Sequence, residues 1–144
     1  MKRLVLLLLL GYFGAASAQD FVSVGEKPAV LYDAPSLKAK KLFILGPHYP
    51  LEVAVVLEHW VKVRDSDGRL FWIEKPLLGQ NHYVMITAPF AEIRQSASDD
   101  SPIVFEAKSG VLLEVTGAAA NGWIGVTHQD GQSGFVKASQ AWGG

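Results

Sequence analysis

The sequence predicts an all-β protein: two tandem small β-barrels following a cleaved signal peptide. Three observations lead there. The chain is written twice from Phe21 onward, the strand signals are short and closely spaced, and no 11-residue window beyond the N-terminal segment keeps a helical period. The duplication is the strongest of the three. Phe21-Val22 recurs as Tyr83-Val84, Phe43 as Phe105, and Leu51-Glu52-Val53 as Leu113-Glu114-Val115, all at an offset of 62. One extra residue then moves the offset to 63, which holds for Trp60/Trp123, Val63/Val126, Asp67-Gly68/Asp130-Gly131 and Trp72-Ile73/Phe135-Val136.

The first element is an export signal. Lys2 and Arg3 precede an apolar run from Leu4 to Leu10, and Ala16-Ser17-Ala18 supplies small residues for cleavage before Gln19. The apolar stretch is shorter than the roughly 20 residues that span a bilayer, so no transmembrane anchor is expected after processing. Removing 18 of the 144 residues leaves 126 and takes away two positive charges, moving the formal net charge from −1 to −3. That balance lacks the basic footprint of nucleic-acid binding. Lys38, Lys40 and Lys41 form one small basic run, read as a solvated loop. The absence of Cys rules out disulfides and attachment through a lipidated cysteine. Two units of about 60 residues sit near the size at which one core barely suffices, so they are expected to pack together.

The predicted boundaries are 1–18 for the signal peptide, 19–78 for the first unit, 79–82 for the linker and 83–144 for the second unit. Strands are expected at Val53–Leu57, Trp60–Arg64 and Leu70–Ile73, then at Leu112–Val115, Trp123–Thr127 and Gly134–Lys137. Polar, turn-rich stretches at Ala34–Lys41 and Ser96–Ser101 read as long loops. Each Asp-Gly reads as a two-residue hairpin turn, which sets Val63 opposite Trp72 and Val126 opposite Phe135. Alternation then places Val61, Val63 and Trp72 on the core face. Trp60, Lys62, Arg64 and Phe71 fall on the outer face, as do Trp123, Gly125, Thr127 and Gly134 in the second unit.

Asn121-Gly122-Trp123-Ile124-Gly125-Val126, followed by Asp130-Gly131 and Gly134-Phe135-Val136, resembles the bacterial SH3-like (SH3b) family. That family carries N-G-W-x-x-V, a turn ending in Gly, and G-W-V. The first unit answers with Glu58-His59-Trp60-Val61-Lys62-Val63, Asp67-Gly68 and Phe71-Trp72-Ile73. The family's early Arg-Ser-Gly-Pro-Ser motif is echoed by Arg94-Gln95-Ser96 and by Tyr32-Asp33-Ala34-Pro35-Ser36, where Tyr replaces the Arg. The resemblance spans about residues 21 to 142. It implies small, strongly bent five- to six-stranded barrels and a non-catalytic exported module that grips peptidoglycan or its peptides. It also implies a periplasmic location, with secretion as the alternative. A scaffold that docks another cell-envelope protein is the second reading.

The candidate ligand-binding residues are Tyr32, Trp60, Phe71, Arg94 and Trp123. Trp60 and Trp123 offer flat indole surfaces with an N–H handle, although a structural Trp closing one end of a barrel would recur in the same way. Tyr32 and Phe71 are aromatic only in the first unit, opposite Arg94 and Gly134, and with Trp60 they could line an aromatic groove. Asp65-Ser66-Asp67-Gly68 resembles the start of a calcium loop but lacks its later Glu, and a hairpin turn explains it. The four His residues show no i, i+4 pair and no Cys companions, so no metal site and no cofactor are expected. Cysteine chemistry is impossible, and no Gly-x-Ser-x-Gly elbow or oxyanion-type glycine loop is present. No catalytic residue is assigned.

Overall fold

The computed structural model describes residues 20–117 and 120–144, so the expected signal peptide lies outside the described residues. The first unit contains β1 (Phe21–Val24), β2 (Ala29–Tyr32), β3 (Lys41–Leu45), β4 (Pro50–Val56), β5 (Trp60–Arg64), β6 (Leu70–Glu74) and β7 (Leu78–Gly79). The second repeats it with β8 (Tyr83–Ile86), β9 (Phe90–Arg94), β10 (Ile103–Lys108), β11 (Leu112–Val115), β12 (Trp123–Thr127), β13 (Ser133–Lys137) and β14 (Ala141–Trp142). The two antiparallel sheets have one topology. Their orders are β3-β2-β6-β5-β4-β1-β7 and β10-β9-β13-β12-β11-β8-β14. The described residues contain no α-helix, only single 3-10 turns at Lys75–Leu77 and Ala138–Gln140. The fold is all-β, as the duplication implied.

Each sheet wraps its own core. Leu31, Leu51, Val61, Val63 and Ile73 fill the first, and their repeat partners Ile93, Leu113, Ile124, Val126 and Val136 fill the second. These are the inward positions of alternating strands, which explains why the apolar residues recur at the same spacing. Gly79, expected to open the linker, still pairs with Ser23, so β7 closes the first sheet and only residues 80–82 lead into β8.

The hairpins depart from the expected register, and the departure moves side chains between faces. Val63 lies opposite Phe71, not Trp72, and Val126 lies opposite Gly134, not Phe135. The turns hold three residues, not two. The Asp65 N–H donates to the Arg69 carbonyl at 3.0 Å, and the Gly68 N–H donates to the Asp65 carbonyl at 3.0 Å. Gly68 takes the left-handed φ of 84° that ends such a loop. The Asp65 carboxylate supports this turn by accepting the N–H groups of Asp67 at 3.0 Å and Arg69 at 2.8 Å. In the second unit Gly131, at φ 92°, and the His128–Gln132 pair repeat the geometry. A one-residue slip reverses every side chain beyond it. Phe71 is therefore a core residue at 5 % exposure, whereas Trp72 stands on the outer face with Lys62.

The units also touch. The Tyr83 N–H donates to the buried Ser23 hydroxyl at 3.2 Å, and Trp142 meets Phe21 edge-on with ring centroids 5.2 Å apart. Gly143 has a φ of 113°, and a Cβ built on it would fall 2.6 Å from the Pro50 Cβ and 2.9 Å from the Tyr83 carbonyl. Only glycine fits where the second unit crosses the first.

Candidate functional site

The outer face of the first unit gathers three aromatic rings. Tyr32 pairs with Trp72 across β2 and β6, and Lys62 pairs with Trp72 across β5 and β6. Trp60 lies two residues before Lys62 on the same face of β5. The Tyr32 and Trp60 rings meet edge to face, 5.3 Å apart at 88°. The Lys62 ammonium stands 5.9 Å from the centroid of the Trp72 ring, within cation–π range. Tyr32 is nearly covered by its neighbours, while Trp60, Lys62 and Trp72 are half-buried and still reach solvent. The result is an aromatic shelf with the Lys62 ammonium beside Trp72 and Glu74 across from Trp60.

The same positions in the second unit carry Arg94, Trp123, Gly125 and Phe135. Arg94 pairs with Phe135, and Gly125 also faces Phe135. The Arg94 guanidinium is spent on its own unit, donating to the Ser101 carbonyl at 2.8 Å and pairing with Glu92. Trp123 lies under the Lys137 ammonium, 5.8 Å from the ring centroid, and Lys137 is held by Asp99 at 2.8 Å. This face has two aromatic rings, and its cations are already paired.

Of the five candidate residues, the structure brings Tyr32 and Trp60 together and sets Arg94 and Trp123 on the corresponding face of the other unit. Phe71 does not join them. It packs inward, against Phe43 at 5.3 Å, with Arg69 lying over the Phe43 ring at 4.7 Å. Trp72 takes the place expected for Phe71, and the sequence reading missed it because a two-residue turn put it in the core. In the first unit, the D-x-D-G spelling is consistent with the longer turn. An Asp that accepts N–H groups from its own loop favours the turn closed by a left-handed glycine.

The calcium-like loop has a local explanation as well. The Asp65 carboxylate is 3 % exposed and is neutralised by the Arg69 guanidinium at 2.7 Å in addition to the two backbone donors. All its acceptor capacity toward the loop goes into holding the turn. Among the described residues, no group of three or more His, Asp or Glu side chains is arranged to hold a metal ion. No helix among them is long and apolar enough to cross a membrane.

Among curated proteins, none is significantly similar in sequence to this chain. Solved structures that resemble it include two NlpC proteins. NlpC2 from Trichomonas vaginalis is 14 % identical, with 87 % of this chain and 48 % of that protein covered, and a TM-score of 0.40. NlpC1 from the same organism is 15 % identical, with 95 % and 50 % covered, also at 0.40. The chain thus spans about half the length of those proteins. The family model of the bacterial SH3 domain matches residues 25–79 and again residues 87–143, one segment in each sheet. With both its units matched, the chain belongs to the bacterial SH3 domain family.

Proposed function

We propose that the protein is a non-catalytic module of the bacterial cell envelope that binds peptidoglycan or its peptides, with the first unit as the gripping half. The aromatic shelf of Tyr32, Trp60 and Trp72 beside Lys62 carries this reading. Flat rings held in place by strand pairing lose little conformational freedom on binding. They suit the apolar faces of sugars and the short side chains of wall peptides. The Lys62 ammonium suits the carboxylates such peptides carry. Family membership supports the same reading, because bacterial SH3 domains are typically cell-wall binding modules. The expected site is the periplasm, reached by cleavage before Gln19.

Retention of the purified protein on peptidoglycan sacculi tests the reading. Wild-type protein should sediment with sacculi. The Trp60→Ala/Trp72→Ala pair should lose most of that retention, and Lys62→Gln should lose part of it without a change in melting temperature. Trp123→Ala should have the smaller effect, since its face is built around paired charges. If wild type stays in the supernatant, or the double variant sediments as well as wild type, the reading is wrong.

A further inference from the structure

One duplicated carboxylate has a different fate in each unit. Glu52 in β4 lies across the strands from Arg64 and is paired with its guanidinium at 3.4 Å. Its repeat partner Glu114 in β11 lies across from Thr127, which stands where the first unit has the arginine. Among the described residues Glu114 has no ion pair. It opens instead into a cleft of about 310 Å³ where the two units meet, a volume at the small-ligand end of the range for binding sites. The first unit contributes Glu26, Pro47 and His48 to this cleft, and the second contributes Tyr83, Glu114 and His128 among others. Neither unit has the cleft alone.

We propose that this junction is a second ligand site, which accepts a primary ammonium group carried by a small amine or by a short peptide. No Lys or Arg lines the cleft, and two carboxylates do, one from each unit. Glu114 is half-buried, and Glu26 stands exposed at the rim with His48 at 3.5 Å. The His48 and Tyr83 rings lie 4.2 Å apart and present aromatic faces beside the carboxylates, a surface that attracts a cation twice over. The Tyr83 phenol registers the converging fields. Burial raises its pKa, and the charges of Glu114 and then Glu26 raise it further, against a hydrogen bond from Asn81. An ammonium at that point would do for Glu114 what Arg64 does for Glu52. The proposal does not rest on the aromatic shelf and concerns a different part of the molecule.

The test titrates the purified protein with 1,5-diaminopentane and, separately, with alanyl-lysine and its diacetylated form. Calorimetry follows binding, and the NMR signals of Tyr83, His48 and His128 report its place. Binding by the diamine alone would identify a free amine as the ligand, and binding by the dipeptide alone would identify a peptide amino group. Either result supports the site, provided that acetylation abolishes it. Glu114→Gln should weaken binding by about three- to fivefold. Thr127→Arg, which copies the first unit's own ion pair and so should fold, should weaken it at least as much by supplying an internal cation. Trp60→Ala/Trp72→Ala should leave it unchanged, which separates this site from the aromatic shelf. The proposal fails if neither amine binds at millimolar concentration, if the diacetylated dipeptide binds equally well, or if Glu114→Gln and Thr127→Arg both bind like wild type.

Discussion

The two units share a topology and a set of core positions, yet they solve one core position in opposite ways. Phe71 in β6 points inward and is buried, and its repeat partner in β13 is Gly134. In the second unit the backbone of β9 comes so close that a Cβ on Gly134 would lie 2.5 Å from the Arg94 carbonyl and 2.8 Å from the Ile93 Cγ2. The first sheet makes room for a phenyl ring, and the second closes around nothing larger than hydrogen. The residues on either side of that position differ to match. Where the first unit puts Tyr32 and Trp72 on its outer face, the second puts Arg94 and Phe135. Duplication preserved the fold, and the freedom it left at single positions separated an aromatic face from a charge-paired one.

The largest expected effect follows from this contrast. Phe71→Ala removes a buried ring from the first unit's core and should cost about 3–5 kcal/mol in denaturant unfolding. A cost near zero would mean that the ring is not part of the core and that the register given for the β5–β6 hairpin is wrong. Gly134→Ala probes the other side. The methyl group meets the Arg94 carbonyl and the stiff, β-branched Ile93 side chain, so a loss of about 1–3 kcal/mol is expected. If the variant matches wild type in stability, β9 and β13 are not packed as tightly as described.

The finest effect concerns the junction and appears only in alkali. Tyr83 has a folded-state pKa raised above the ordinary 10.0, so the folded chain holds that proton more tightly than the unfolded one. The stabilisation this gives is fully present below pH 10.0 and disappears as pH rises through the raised value. Phenolate absorbance, assigned by difference against Tyr83→Phe, should show Tyr83 titrating above that point. Glu114→Gln should move it part of the way back, leaving the larger contribution of burial. A Tyr83 titration at the ordinary value, or one indifferent to Glu114→Gln, would show that the carboxylate does not face the phenol.

Much of the fold was legible because repetition multiplies weak signals. Leu51/Leu113 and Val63/Val126 identify inward positions twice, and a position found twice at one spacing is hard to mistake for chance. The difference between Tyr32 and Arg94 was legible for the same reason. Trp72 was not, although it lies beside Tyr32, because its side depended on whether a turn holds two residues or three. Asp-Gly is compatible with both lengths, so the dipeptide leaves the choice open. The pairing of Glu114 with Thr127 in place of an arginine could be aligned from the repeat, but that this carboxylate opens onto the other unit could not.

Residue order by itself determined that the chain is all-β, that it is built twice from Phe21 onward and that positions such as Val63 and Val126 face inward, because alternation along a strand is a local property that the covalent sequence carries. Tertiary structure alone decided which aromatic rings reach solvent and what lies between the units. The reason is physical. A hairpin's register is fixed by which backbone and side-chain groups satisfy its loop, the Asp65 carboxylate among them in the first unit, and one residue of slip exchanges the two faces. The contact between units depends on shapes such as the Gly143 crossing over Pro50, which exist only after both sheets have closed.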